Sequence, residues 1–135
     1  MISKTFPGDF SSLGPISDFI ANAAKQAGLD ENSIYSVQLA VDEACTNIIE
    51  HAYGGEGNGE IVCRCDSNSE SFRIELRDQG KQFNPDTIPV PEVGAPLESL
   101  GNRGAGLFLM KKLMDQVEFD FSKSNETILR MTKKK

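Results

Sequence analysis

The stretch "DEACTNIIEHAY", Asp42 to Tyr53, places Glu43 and Asn47 one helical turn apart. A carboxylate there can accept a proton, and a carboxamide beside it can offer an oxygen or an N–H. At about 100° per residue, Ser36, Glu43, Asn47 and Glu50 share one face, roughly opposite the apolar stripe. A plain solvated face is the competing reading, and two residues alone do not overturn it. Asp78 adds weight. It follows Phe72, Ile74 and Leu76 in strict alternation, which puts a carboxylate on the buried side of a strand, where it needs a hydrogen-bond partner. A turn-forming role in "DQG" is the simpler alternative for Asp78, and Gly80 lets the backbone turn tightly or a ligand come close. The third feature is "GNRGAGLF", Gly101 to Phe108, where glycines lead into a helix whose free N–H groups suit an anion. It is neither a Walker A loop nor GxGxxG, and glycines in loops often serve only to turn.

The elements that must position these residues follow from periodicity. "ISKTF" reads as an edge strand. "SSLGPISDFIANAAKQAG" is a first helix, with Leu13, Ile16, Phe19, Ile20 and Ala23 at helical spacing and Gly28 as its stop. The second helix, from "DENSIYS" to "EHAYGG", carries the stripe Ile34, Val37, Val41, Ala44, Ile48 and Ala52 and ends at Gly54 and Gly55. "GEIVCRC" and "SFRIELRDQG" are strands joined by the turn "DSNSE". Residues 84–103 hold four of the six prolines and read as a long loop. "GAGLFLMKKLMDQ" is a third helix, with Leu107, Met110, Leu113 and Met114 on its apolar side, and "VEFDF" with "ETILRM" makes a closing hairpin. The order β-α-α-β-β-loop-α-β-β pairs strands with their neighbours. It predicts an α+β fold, one mostly antiparallel sheet with helices on one face.

Composition narrows the function classes. The chain has 135 residues, 39% hydrophobic and 25% charged, which suits a single globular domain over 1–135 with a core of its own. The net charge of −6 argues against direct nucleic-acid binding, since phosphate backbones select a basic face. The basic cluster Lys133 to Lys135 reads as a frayed, solvated end. No run approaches the ~20 apolar residues of a membrane helix, and "MISKTFPGDF" lacks a signal-peptide core. No membrane association and a cytoplasmic location are therefore expected. Three cysteines do not suggest a disulfide framework. Cys63 and Cys65 point to one strand face, but with His51 as the single histidine a zinc site lacks ligands.

Taken together and in this order, "EACTNIIEHA", "DQGKQF" and "GAGL" resemble the N, G1 and G2 boxes of the ATP-binding (Bergerat) fold shared by gyrase, Hsp90, histidine kinases and MutL, a two-layer α/β sandwich. The closeness of "LAVDEACTNIIEHAY" and "RDQGKQFNP" makes the chain similar to the bacterial anti-sigma factor serine/threonine kinases of partner-switching pathways. The resemblance runs by motif from Ile34 to Met114 and by element order along the whole chain. It implies that Asn47 holds the Mg2+ bridging the phosphates of ATP, a hard-oxygen ligand for an ion that keeps several waters. It implies that Glu43 is the general base for an attacking hydroxyl and that Asp78 accepts a hydrogen bond from the adenine amino group. Gly80 matches the glycine that lets the base approach, Gly104 and Gly106 match the G2 box whose N–H groups meet phosphate, and residues 84–103 match the ATP lid. Arg103 can touch a phosphate or a partner, although a lone loop arginine is more often solvated. His51 lies in the N box, and as the single histidine it is a poor phosphoacceptor.

The resemblance implies a kinase that is also a binding switch. It would phosphorylate a small anti-anti-sigma-type antagonist protein and sequester a sigma factor, with a homodimer common in the family. A regulator that keeps the fold and acts by binding alone is the alternative. Glu43 and Asn47 favour catalysis, because a pure binder needs no base. An ATP-hydrolysing clamp needs a dimerising arm that this sequence does not show, and a complete histidine kinase needs a phosphoacceptor helical hairpin.

Overall fold

The structure, a computed structural model, describes residues 1–83 and 101–135, with side chains from Ala105 onward in the second part. Five strands form one antiparallel sheet: β1 (Ile2–Pro7), β2 (Glu60–Ser67), β3 (Ser71–Asp78), β4 (Gln116–Asp120) and β5 (Thr127–Lys134). Their spatial order is β1-β2-β3-β5-β4, so β3 and β5 are central neighbours and β1 is the edge strand its sequence predicts. Three helices cover one face: α1 (Leu13–Gln26), α2 (Glu31–Asn47) and α3 (Gly101–Leu113). The expected α+β class and, among the described residues, the expected order of strands and main helices are those observed.

Alternation decides which side of each strand is buried. Ile61, Cys63 and Cys65 of β2, Phe72, Ile74 and Leu76 of β3, and Leu129 and Met131 of β5 join one core. The helices contribute Ile16 and Ile20 of α1, Val37, Val41 and Ala44 of α2, and Leu107 and Met110 of α3. The other face of the sheet is open and charged. Glu75 lies at its centre, 3.1 Å from Arg130 and 3.2 Å from Arg77. Partly exposed pairs of this kind stabilise weakly, and their main effect is to keep the open face hydrophilic.

Local chemistry sets the helix ends. Asp30 caps α2 by accepting the Ser33 N–H at 2.7 Å. Gly28 (φ 93°) closes α1, with Gly28 N–H on the Lys25 carbonyl and Leu29 N–H on that of Ala24, the Schellman pattern. Two expectations are corrected here. The second helix does not run uniformly to Gly54, because Ile48–Ala52 form a π-helical turn in which Tyr53 N–H reaches the Ile48 carbonyl at 2.9 Å. The terminal lysines are not frayed. Lys133 and Lys134 belong to β5, and Lys133 Nζ donates to the Leu113 carbonyl at 2.8 Å, capping the negative end of α3.

Candidate functional site

Helix α3 packs along α2, and the contact is made where glycine removes a side chain. A Cβ placed on Gly106 would lie 2.9 Å from Asn47 Nδ2 and 3.1 Å from Glu43 Oε2. Both polar groups of α2 therefore converge on one point of α3, and both are half-buried. The helix face that carries Glu43 and Asn47 is thus packed against α3 at this point and not fully solvated. The Glu43 carboxyl is pushed above its usual range by burial first, then by the charges of Asp42 and Glu50. A carboxyl raised in this way holds a proton more strongly than an exposed one.

Asp78 emerges on the buried face, as alternation predicts, and is 5% exposed. Its Oδ1 accepts the Gly80 N–H at 3.0 Å, so the turn-forming role is also present. Gly80 lies against the end of the π-helical turn, where a Cβ would meet the Ala52 carbonyl carbon and oxygen at 2.5 Å. The close approach that glycine allows here is to backbone. Directly across the sheet, Thr127 pairs with Asp78 in register. Thr127 is 4% exposed, and its hydroxyl has no hydrogen-bond partner among the described residues. A buried hydroxyl without a partner costs free energy, so this one is available to a hydrogen bond from a group outside the described residues.

Asp78 and Thr127 form the polar floor of a cleft that Asn47 also lines. Its walls are apolar: Ala44, Ile48, Ala52, Leu107, Met110 and Leu129, with Phe83 and Phe119 stacked edge-to-face at 5.1 Å. An acceptor and a hydroxyl on the floor of a cleft with apolar walls suit a flat heteroaromatic ring with a polar edge. The enclosed volume is about 30 Å³, room for a water or two. No cluster of three or more His, Cys, Asp or Glu that could hold a metal occurs among the described residues. A Mg2+ at Asn47 would rely on phosphate oxygens and water for its other ligands, the common arrangement for that ion.

The glycine box differs from its expectation. Helix α3 begins at Gly101, three residues before Gly104, so it claims residues 101–103 that the sequence assigns to the loop. Only the first four N–H groups of a helix lack an internal acceptor. Gly106, the sixth residue, has its N–H inside the helix, and what the structure gives it is the close approach to Glu43 and Asn47. Gly104 and Arg103 lie in the first turn of α3, and the Arg103 side chain is outside the described residues. The expected lid falls on residues 84–100, likewise outside them, and on 101–103. Thr127, Lys81, Phe83 and Tyr53 escaped the sequence reading. Alternation within "ETILRM" gave a signal for Thr127, but the β3–β5 register is needed to set it opposite Asp78. No helix among the described residues is long and apolar enough to cross a membrane.

The histidine kinase-like ATPase domain profile matches residues 6–133. Curated relatives named serine-protein kinase RsbW align along most of the chain. The one from Listeria innocua is 31% identical, over 90% of this chain and 78% of its own. The one from Bacillus velezensis is 31% identical, over 98% and 84%. Among solved structures, the RsbU and RsbW domains of a Mycobacterium tuberculosis protein superpose with TM-score 0.64 at 12% identity, over 98% of this chain and 32% of that one. The catalytic domain of the histidine kinase ThkA superposes with TM-score 0.58 at 13% identity, over 100% and 98%. At such identities these two structures speak for the fold.

Proposed function

The chain belongs to the histidine kinase-like ATPase family, and from that premise we propose that it is a cytoplasmic ATP-dependent serine/threonine protein kinase of a partner-switching pathway. Its substrate would be a hydroxyl residue of a small anti-anti-sigma-type antagonist protein, and it would also sequester a sigma factor. The relatives named serine-protein kinase RsbW support the reaction class. The observation that carries the reading is the convergence of Glu43 and Asn47 on Gly106, beside a cleft floored by Asp78 and Thr127.

In this reading Asp78 accepts the adenine amino group and Thr127 contributes its unpartnered hydroxyl to the same edge of the base. The apolar walls exclude water from the ring. Asn47, between the cleft and Glu43, directs its carboxamide toward the phosphates. A Mg2+ bound there would neutralise phosphate charge and draw electron density from the transferred group. Glu43 takes the proton from the attacking hydroxyl. The hydroxyl oxygen bonds to the γ-phosphorus, the bond from that phosphorus to the β–γ bridging oxygen breaks, and ADP leaves. The raised pKa of Glu43 brings the base closer to working pH than an exposed carboxylate would be.

The test is a transfer assay with labelled ATP, Mg2+ and the purified antagonist-type proteins of the same genome. Wild-type protein labels one of them on serine or threonine. Glu43→Gln binds ATP with wild-type affinity and loses about 10²- to 10⁴-fold in rate, the usual cost of removing a general base. A wild-type protein that binds both ATP and partner yet transfers nothing would leave the non-catalytic regulator as the better reading.

A further inference from the structure

The π-helical turn that ends α2 is tied to the turn after β3 by two hydrogen bonds that straddle Gly80. The Tyr53 hydroxyl accepts the Gln79 N–H at 2.9 Å, and the Ala52 carbonyl accepts the Lys81 N–H at 2.7 Å. The same hydroxyl donates to the Glu60 carbonyl at 2.5 Å, which joins the start of β2 to the end of β3. The ring packs closely on two glycines. A Cβ on Gly59 would overlap it, and one on Gly8 would lie 3.3 Å from its Cδ2. A single hydroxyl thus holds the residue that follows Asp78, and it does so from the end of the helix that carries Glu43 and Asn47. A π-turn in an otherwise regular helix shifts the residues beyond it round the axis, and such turns recur at functional sites.

We propose that Tyr53 is a positioning residue for base recognition: its hydroxyl fixes the Asp78–Lys81 turn so that the Asp78 carboxylate meets an exocyclic amino group of adenine rather than the carbonyl edge of guanine. This rests on the reading that Asp78 contacts the base. Tyr53 touches neither the base nor the phosphates in this scheme and acts through Asp78.

A double-mutant cycle tests it, with dissociation constants measured by calorimetry for Mg-ATP, Mg-GTP and Mg-tripolyphosphate, which has no base. Asp78→Asn weakens ATP. Tyr53→Phe keeps the ring, removes the hydroxyl, and weakens ATP about 5- to 30-fold, the size of the net loss of one or two positioning hydrogen bonds. It narrows the preference of ATP over GTP and leaves tripolyphosphate binding unchanged. In the Asp78→Asn background the second substitution costs less than about twofold, because the residue it acts through is gone. Additive losses, or an equal loss for tripolyphosphate, would make Tyr53 a general structural residue and overturn the proposal. So would a Tyr53→Phe protein with wild-type ATP affinity when Asp78→Asn has lost it. If Asp78→Asn itself binds ATP normally, the base-site reading fails first and the proposal with it. Should Tyr53→Phe not fold, Gly59→Ala displaces the same ring from the other side and is held to the same outcomes.

Discussion

Asp78 and Thr127 face each other across β3 and β5, one accepting the Gly80 N–H and the other with a hydroxyl that has no hydrogen-bond partner among the described residues. The asymmetry gives two effects of opposite sign for one substitution. Thr127→Val keeps the shape and removes a buried hydroxyl that is unsatisfied without ligand, so the free protein is expected to gain about 1 kcal/mol of stability. The same change removes a group from the proposed base site, so ATP is expected to bind about 5- to 10-fold more weakly. Chemical denaturation with and without saturating Mg-ATP measures both. A variant that is destabilised when free and unchanged in nucleotide affinity would place Thr127 in the core and not in the site.

The three cysteines make a contrasting prediction, that nothing happens. Burial pushes the Cys63 and Cys65 thiols up to about 12, and Cys45 is raised by burial and by its neighbours Cys63 and Asp42. The thiolate is the reactive form, so all three are expected to resist a thiol reagent at pH 8 until the protein unfolds. Labelling followed by mass spectrometry, with and without denaturant, checks it. Rapid modification of native protein would contradict the packing of β2 against the helices.

Much of this site was legible because it depends on short-range periodicity. Period two in "SFRIELRD" is enough to turn Asp78 inward, and one helical turn is enough to align Glu43 with Asn47. Long-range relations were not legible. Thr127 meets Asp78 only through the β3–β5 register, and the Tyr53 hydroxyl finds its partners only once residues 60 and 79 are brought together. Glycine misled the start of α3. A poor helix former, Gly101, reads as part of the loop, whereas α3 already begins there; Gly104 and Gly106 are helical as read. Three consecutive lysines likewise looked like a tail. Pairing with β3 holds two of them, and the α3 carboxyl end uses one.

Glu43 predicts a pH dependence whose sign follows from its raised pKa. A base works only when deprotonated, so phosphoryl transfer is expected to fall on the acid side at a higher pH than an exposed glutamate would give. Removing one of the causes, by Asp42→Asn, is expected to move that limb to lower pH. The linkage to stability runs the other way. A carboxyl raised in the fold contributes stability below its unfolded pKa and loses it as pH rises through the folded value. At neutral pH an ionised Glu43 therefore weakens the fold, and Glu43→Gln is expected to unfold at the same or a higher temperature than wild type. A lower unfolding temperature, or a rate profile unmoved by Asp42→Asn, would contradict the environment described for Glu43.

Gly106 separates packing from chemistry. In an ordinary helix interior, Gly→Ala stabilises by about 1 kcal/mol. Here the new methyl would lie 2.9 Å from Asn47 Nδ2 and 3.1 Å from Glu43 Oε2, so one or both side chains must shift. Both atoms are at the ends of side chains that can rotate, so the fold absorbs the change and the helical gain is largely offset. On the proposed kinase reading the site does not absorb it, because the displaced groups would be the base and the phosphate-directing amide. Displacement of this size at a reacting centre costs on the order of 10²-fold in rate. Gly106→Ala is therefore expected to unfold near the wild-type denaturant midpoint, to bind ATP, and to transfer phosphate about 10²-fold more slowly. Denaturation and the transfer assay are run on the same preparation. Wild-type transfer by a folded Gly106→Ala protein would show that Glu43 and Asn47 do not need their positions at this contact, and would remove the observation on which the kinase reading rests.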